Sequence, residues 1–175
     1  DLIDEIETFD REVMTAMRED RDFAAKAAEA ATLHAESWEE LFDRLADLPS
    51  APEFEPLAGL VPLGPDPDSK LEEFLHLRSH DGPVPARDVR GRLTISPSTG
   101  IILVLVPGGR AVIGAQRTSR AAPGHDPAAA EIEGPVHTVR LDPYLIAKHE
   151  MTQAQWLRIT KKRPSEFGLQ CYFFQ

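Results

Sequence analysis

An α+β fold, in which an N-terminal helical segment leads into short antiparallel strands, follows from three features of the sequence. Apolar residues recur at helical spacing over residues 1–48. Prolines at 49, 52, 56, 62, 65, 67, 83, 85, 97 and 107 then exclude long helices, and the apolar runs between them are strand-sized. Late in the chain, two short strand-like runs precede a residue pattern that caps a helix.

In the first segment, Leu2, Ile6, Phe9, Val13, Ala16 and Phe23 keep one apolar stripe on a helical face while Asp and Glu fill the others. The seven-residue step through Leu2, Phe9, Ala16, Phe23 and Ala30 predicts coiled-coil-like pairing, interrupted by Asp20 and His34 on the second seam. Ala24 to Ala31 has high helix propensity but little bulk to pack. Ser37 with Glu40 reads as a capping box opening a second helix, with Trp38, Leu41, Phe42, Leu45 and Leu48 as its buried stripe and Pro49 and Pro52 as its stop.

Strands are expected at Leu60–Leu63, Leu71–Leu77, Arg92–Ile95 and Ile101–Val106, with the turn Gly64-Pro65-Asp66-Pro67-Asp68 joining the first two. Gly108-Gly109 predicts a tight turn needing positive φ, after which Ala111 to Gly114 resumes as a strand. Residues 115–134 are polar and rich in Ala, Pro and Gly, which reads as a surface loop. Val136–Leu141 alternates like a half-buried strand, Tyr144–Lys148 forms another, and Thr152 with Gln155 caps a helix carrying Ala154, Trp156, Leu157 and Ile159 that is expected against one face of the sheet.

Charge sorts the possible partners. Residues 1–55 carry 17 acidic and 5 basic side chains, whereas residues 56–175 carry 12 and 14. The strong field is therefore negative and local to the helical segment, a poor match for a phosphate backbone, so nucleic acid is excluded as the default partner. With 42% hydrophobic and 27% charged residues in 175 positions, the chain has the composition of one domain, or of one modest domain with an appendage. Its longest apolar run, Ile101–Val106, is far short of a membrane span, and the acidic start lacks the features of a secretion signal. No membrane association and a cytoplasmic location are the expectations. A single cysteine, Cys171, can neither close an intramolecular disulfide nor build a Cys-rich metal site.

Residue chemistry offers no catalytic constellation. Of His34, His76, His80, His125, His137 and His149, only His76 and His80 have i,i+4 spacing, and they fall on a strand and a turn rather than a helix. Ser96, Ser98 and Thr99 flank Pro97 without a nucleophile elbow. Cys171 has no basic neighbour to favour a thiolate. Gly108, Gly109 and Gly114 match no phosphate-binding spacing. Glu131, Glu133, Asp142 and Glu150 share no predicted face. No catalytic, cofactor-binding or metal-binding residue is therefore assigned.

Two stretches carry a family resemblance. Ile102 to Gly109, followed by Ile113-Gly114-Ala115-Gln116, is similar to the opening strand and Pro-Gly-Gly turn of the formylglycine-generating enzyme family, the sulfatase-modifying factor domain. Glu133-Gly134-Pro135-Val136-His137-Thr138-Val139 through Glu150-Met151-Thr152-Gln153-Ala154-Gln155-Trp156 resembles that family's E-G-P-x-H-x-V and E-V-T-x-x-Q-W runs, with Met151 in place of Val, and Arg163-Pro164-Ser165 resembles its Asn-Pro-Ser turn. Residues 60–67, Glu73–Leu77 and Gly91–Leu93 resemble the segment ahead of this domain in bacterial serine/threonine kinases that carry it C-terminally.

The resemblance implies a partial C-type-lectin-like domain. It divides the chain into an acidic helical linker over 1–50, a Pro-rich short-strand segment over 51–99, and the early part of the sulfatase-modifying factor domain over 100–175. It further implies that the oxidising cysteines, the copper ligands and the calcium-binding loops of complete members lie downstream of the Pro-Ser turn, so no catalytic position is carried over and Cys171 is not promoted to one. The expected function is that of a non-catalytic part of such a protein, at most an interaction module. The alternatives are part of an active oxidase that converts a target cysteine to formylglycine, or a helical dimerisation adaptor. Expected partners are a kinase domain in the parent protein and a second copy held through the N-terminal helix. An early domain fragment should also leave sheet edges and apolar faces uncovered.

Overall fold

A computed structural model describes residues 2–46 and 55–163. Helix α1 runs from Leu2–Leu33 and α2 from Ala35–Ala46. Strand β1 is Leu60–Pro65, β2 Glu72–His76, β3 Ile102–Val106, β4 Gly109–Ile113, β5 His137–Leu141 and β6 Tyr144–Ala147, and the short helix α3 is Gln153–Thr160. The order β1-β2-β3-β6 makes one antiparallel sheet, and β4 and β5 pair separately, also antiparallel. The α+β class with short antiparallel strands is thus as the sequence predicts.

Two helices clasp the sheet because its core strand is buried on both faces. β2 is covered throughout save for half-buried His76. Alternate residues of a strand point to opposite faces. Phe74, with Leu105 and the flanking Leu60, Leu103 and Leu145, packs on Trp38, Leu41 and Leu45 of α2. Leu75, with Val61, Leu77 and Ile102, packs on Phe23 and Ala30 of α1 and on Leu93. Only the C-terminal third of α1 is engaged in this way. Its upstream stripe, from Ile6 through Phe9 to Val13 and Met17, is exposed.

The β3–β4 and β5–β6 segments form one ribbon broken over two residue pairs. Leu103 pairs with Ala147 and Val106 with Tyr144, and Gly109 with Leu141 and Ile113 with His137, a constant offset that brings Pro107 opposite Pro143. Proline supplies no ladder donor, so the pairing lapses on both strands at once. The near half of the ribbon belongs to the main sheet. The far half projects from it, with Val112, Ile113 and Leu141 exposed.

Four expectations need correction. Arg92–Ile95 forms no strand. Its only pairing is the bridge between Arg87 and Leu93, because Asp88 closes a turn by accepting from the Arg90 and Arg92 amides. The second helix begins at Ala35 rather than after Ser37, since His34 continues the helical hydrogen bonding from Ala30 to Trp38 and leaves Ser37 no end to cap. Neither Gly108 nor Gly109 has positive φ. Gly108 instead answers a crowding constraint, because a Cβ there would come within 2.8 Å of the Leu141 carbonyl and of Pro143. Finally, α3 does not lie on the sheet face. Its Arg158 guanidinium donates to the Ser79 and Pro97 carbonyls, and its capping residue Gln155 reaches the Thr99 carbonyl. The stop at Pro49 and Pro52, and Leu48, lie outside the described residues.

Candidate functional site

The densest polar chemistry lies on the α1 face of the sheet, where β2 carries acids into an apolar layer. Glu72 and Glu73 are consecutive, so they leave the strand on opposite sides. Glu72 turns toward α2 and is held by Arg44, whose Nε and Nη2 donate to the two carboxylate oxygens at 2.7 and 3.0 Å. Glu73 turns the other way and is 0% exposed. Lys148, just past β6, donates to Glu73 Oε1 at 2.6 Å and to Asp66 Oδ1 at 2.7 Å. Arg87 donates to Glu73 Oε2 at 2.8 Å.

Local geometry explains each position. A bulge sets Leu63 out of the β1–β2 register, turning the Leu63 and Gly64 carbonyls toward Arg87. The guanidinium takes both, together with the Gly91 carbonyl, so its fork is filled by backbone and by Glu73. Asp66 ends the β1 turn and accepts from the Ser69 amide and hydroxyl, each at 2.8 Å. The quartet Asp66, Glu73, Arg87 and Lys148 carries two charges of each sign, which is how ionised groups persist in a covered layer.

The electrostatics fix the protonation states. The Lys148 hydrogen bond, aided by the Ser69 amide, holds the Asp66 carboxyl far below the usual carboxylate range. Burial works against the Lys148 charge, but its bonds to Asp66 and Glu73 outweigh that and raise its pKa. Neither group is poised to exchange a proton near neutrality, and Arg87 has no free fork. The quartet therefore joins the β1 turn, β2 and the end of β6 rather than offering an acid or a nucleophile. Asp66, Glu73 and Lys148 floor an open cleft of about 300 Å3 whose lining also includes Leu93, Ile95, His149 and the exposed Arg92–Asp68 pair.

The sequence candidates are scattered around this floor. His149 lines the cleft. His76 and His80 do come together, but around a structural knot. Buried Ser79 accepts from the Ile101 amide at 2.8 Å and lies 3.0 Å from His76 Nδ1. His80 Nδ1 accepts from the Gly100 amide, which leaves its proton on Nε2, between the Gly82 and Pro83 carbonyls at 3.0 Å. Burial pushes both imidazoles below their ordinary pKa. Ser79 is fully covered, so this serine–histidine contact has no access to a substrate.

His34 lies at the α1–α2 junction, His125 bridges to Gln116, and His137 opens β5. Ser96 and Thr99 bond each other within their turn. Glu133 caps its own short turn through the Ala130 amide and converges with none of Glu131, Asp142 or Glu150 on a shared contact. Cys171 and the Pro164-Ser165 turn lie outside the described residues. Among the described residues no three His, Cys, Asp or Glu side chains converge as a metal site. No described helix is long and apolar enough to cross a membrane.

Asp66, Glu73, Arg87 and Lys148 were not singled out by sequence, although one signal was present: two adjacent acids inside the apolar run Leu71–Leu77 demand cations from elsewhere.

The knot and the quartet titrate in separate windows. Depressed histidine pKa values add stability that is fully present above the unfolded value near 6.5 and is lost as pH falls through the folded values. Asp66 adds stability that is present above about pH 4 and is lost as pH falls through its depressed folded value. Urea midpoints measured from pH 8 to pH 2.5 should therefore decline in two stages. His80→Asn should flatten the upper stage and Asp66→Asn the lower, and an unchanged profile in both variants would refute the assignment.

No family model matches the chain, and neither does any curated protein or solved structure.

Proposed function

We infer that the chain is a non-catalytic interaction module built on the opening part of a formylglycine-generating-enzyme-like scaffold, which would be a C-type-lectin-like fold. One observation carries this reading. From β4 onward few apolar side chains reach a core: Val112, Ile113, Ile132, Leu141, Tyr144, Ile146, Met151 and Trp156 are exposed, Leu145 packs on the α2 cluster, and among the described residues of this stretch Ala129 is the one buried apolar residue. A surface of this kind is a binding surface or the bed for more chain. Support for the family comes from the strand, the Pro143 corner and the Thr152-capped helix, whose cap is reciprocal: Thr152 Oγ1 accepts from the Gln155 amide while Gln155 Oε1 accepts from the Thr152 amide.

In this reading the parent protein is cytoplasmic and carries a kinase domain ahead of the helical segment, and the oxidising cysteines with their copper belong to later residues. The second reading, part of an active oxidase, makes the opposite prediction for the same assay. The purified chain, supplied with copper(I), oxygen and a cysteine peptide from a sulfatase, should yield no aldehyde by mass spectrometry. Aldehyde formation would establish the oxidase and remove the module. Reading the gene on both sides addresses the parent: finding neither a kinase frame upstream nor a cysteine-bearing continuation downstream would withdraw the family assignment.

A further inference from the structure

The stripe that docks α1 on the sheet does not stop where the sheet stops. Phe23, Ala27 and Ala30 are its covered part. Ile6, Phe9 and Val13 continue it upstream at the same heptad spacing, joined by Met17, and all four are exposed. Residues 2–22 carry eight acids against three bases. Glu5, Glu12 and Glu19 recur every seven residues along one flank of the stripe. An antiparallel pair of α1 helices would set these glutamates against each other, and a parallel pair would set Glu5 near Asp10, so a second α1 is a poor occupant. A basic apolar surface is the fitting one.

The far half of the ribbon is such a surface. Arg110 lies directly opposite Arg140 in the β4–β5 ladder, with Val112 and Thr138 the next pair on the same face. Like charges directly across a ladder are destabilising unless an anion relieves them. Residues 109–163 as a whole carry nine bases against five acids. Arg110, Val112 and Arg140 are exposed, as are Ile6, Phe9 and Val13.

We propose that two copies of this chain exchange α1, the acidic apolar stripe of each lying along the Arg110–Arg140 face of the other's ribbon in a closed two-fold dimer. Reciprocal contact closes the assembly at two, whereas one-way contact would propagate. The contact is indifferent to the family of the scaffold.

Sedimentation equilibrium of the full chain tests it. A dimer is expected at low salt, with its Kd rising about tenfold between 0.05 and 0.5 M salt as the charge pairing is screened. Phe9→Asp and Arg140→Glu should each weaken it at least tenfold while the far-ultraviolet dichroism of the folded chain stays unchanged, because both positions are exposed. Glu12→Arg combined with Arg140→Glu should recover part of the loss. A monomer at every concentration would overturn the proposal, as would a dimer that ignores both salt and Arg140→Glu. Aldehyde formation in the copper assay would leave it standing, so the two readings fail separately.

Discussion

Lys148→Met is expected to cost about 2–3 kcal/mol at neutral pH, because it strips a charged hydrogen-bond donor from two buried carboxylates while the ammonium itself is partly exposed. The ammonium is shared by two carboxylates, one of them wholly buried. Its removal leaves Asp66 and Glu73 near each other with Arg87 as the only cation of the quartet, while methionine keeps most of the apolar stem. The loss has a signature that simple packing damage lacks. As pH falls, protonation of Asp66, no longer held down by the ammonium, relieves the imbalance and the deficit narrows. Adding Glu73→Leu restores charge balance between Asp66 and Arg87 and should recover most of the loss, giving a coupling energy of about 2 kcal/mol or more in a double-mutant cycle. Urea unfolding reads all three effects. A Lys148→Met midpoint equal to that of the parent chain would mean the quartet contributes nothing.

Phe74→Ala is expected to cost about 3–5 kcal/mol. The ring is buried among Leu41, Leu45 and Leu105, with its centroid 5.9 Å from that of Trp38. α2 has two holds on the sheet, this cluster and the Arg44–Glu72 bridge. Emptying the first should free the helix as well as lower global stability. Near-UV dichroism from Trp38 should collapse, since the other tryptophan, Trp156, is already 42% exposed. Amide exchange over residues 35–46 should accelerate ahead of that over β2 and β3. Uniform acceleration across helix and sheet would show that α2 is held by more than this cluster.

Periodicity made the helices and most strands legible because those signals are local. The stripe through Ile6, Phe9 and Val13 gave α1, and short apolar runs between prolines gave β1, β2 and β3. The misreadings share a cause. Arg92–Ile95 looks like a strand by composition, yet its fate is decided by Asp88 and by Arg87, whose side chain is spent on the β1 bulge. Ser37 has cap chemistry, but a helix needs a cap only where it begins. Lys148 lies 75 residues from Glu73 and 82 from Asp66, a separation that no window of sequence reaches. The coiled-coil heptads were real as a pattern, but their covered part meets strands rather than another helix.

The acids at positions 72 and 73 bear on how the chain finds its fold. Glu72 is captured by Arg44 on one side of the sheet and Glu73 by Arg87 and Lys148 on the other. Slipping β2 by one residue against its neighbours exchanges the sides. One acid would then take the slot the other has left, but its neighbour would lose its cations, and in one direction Glu73 would replace Phe74 against Trp38 and Leu41. Leucine and phenylalanine, being near-equivalent in oil, could tolerate such an exchange, whereas the carboxylates cannot. The pair thus acts as a proofreading mark, since a one-residue misalignment strands at least one carboxylate, and it makes β2 a poor recruit for stacking with strands from other molecules.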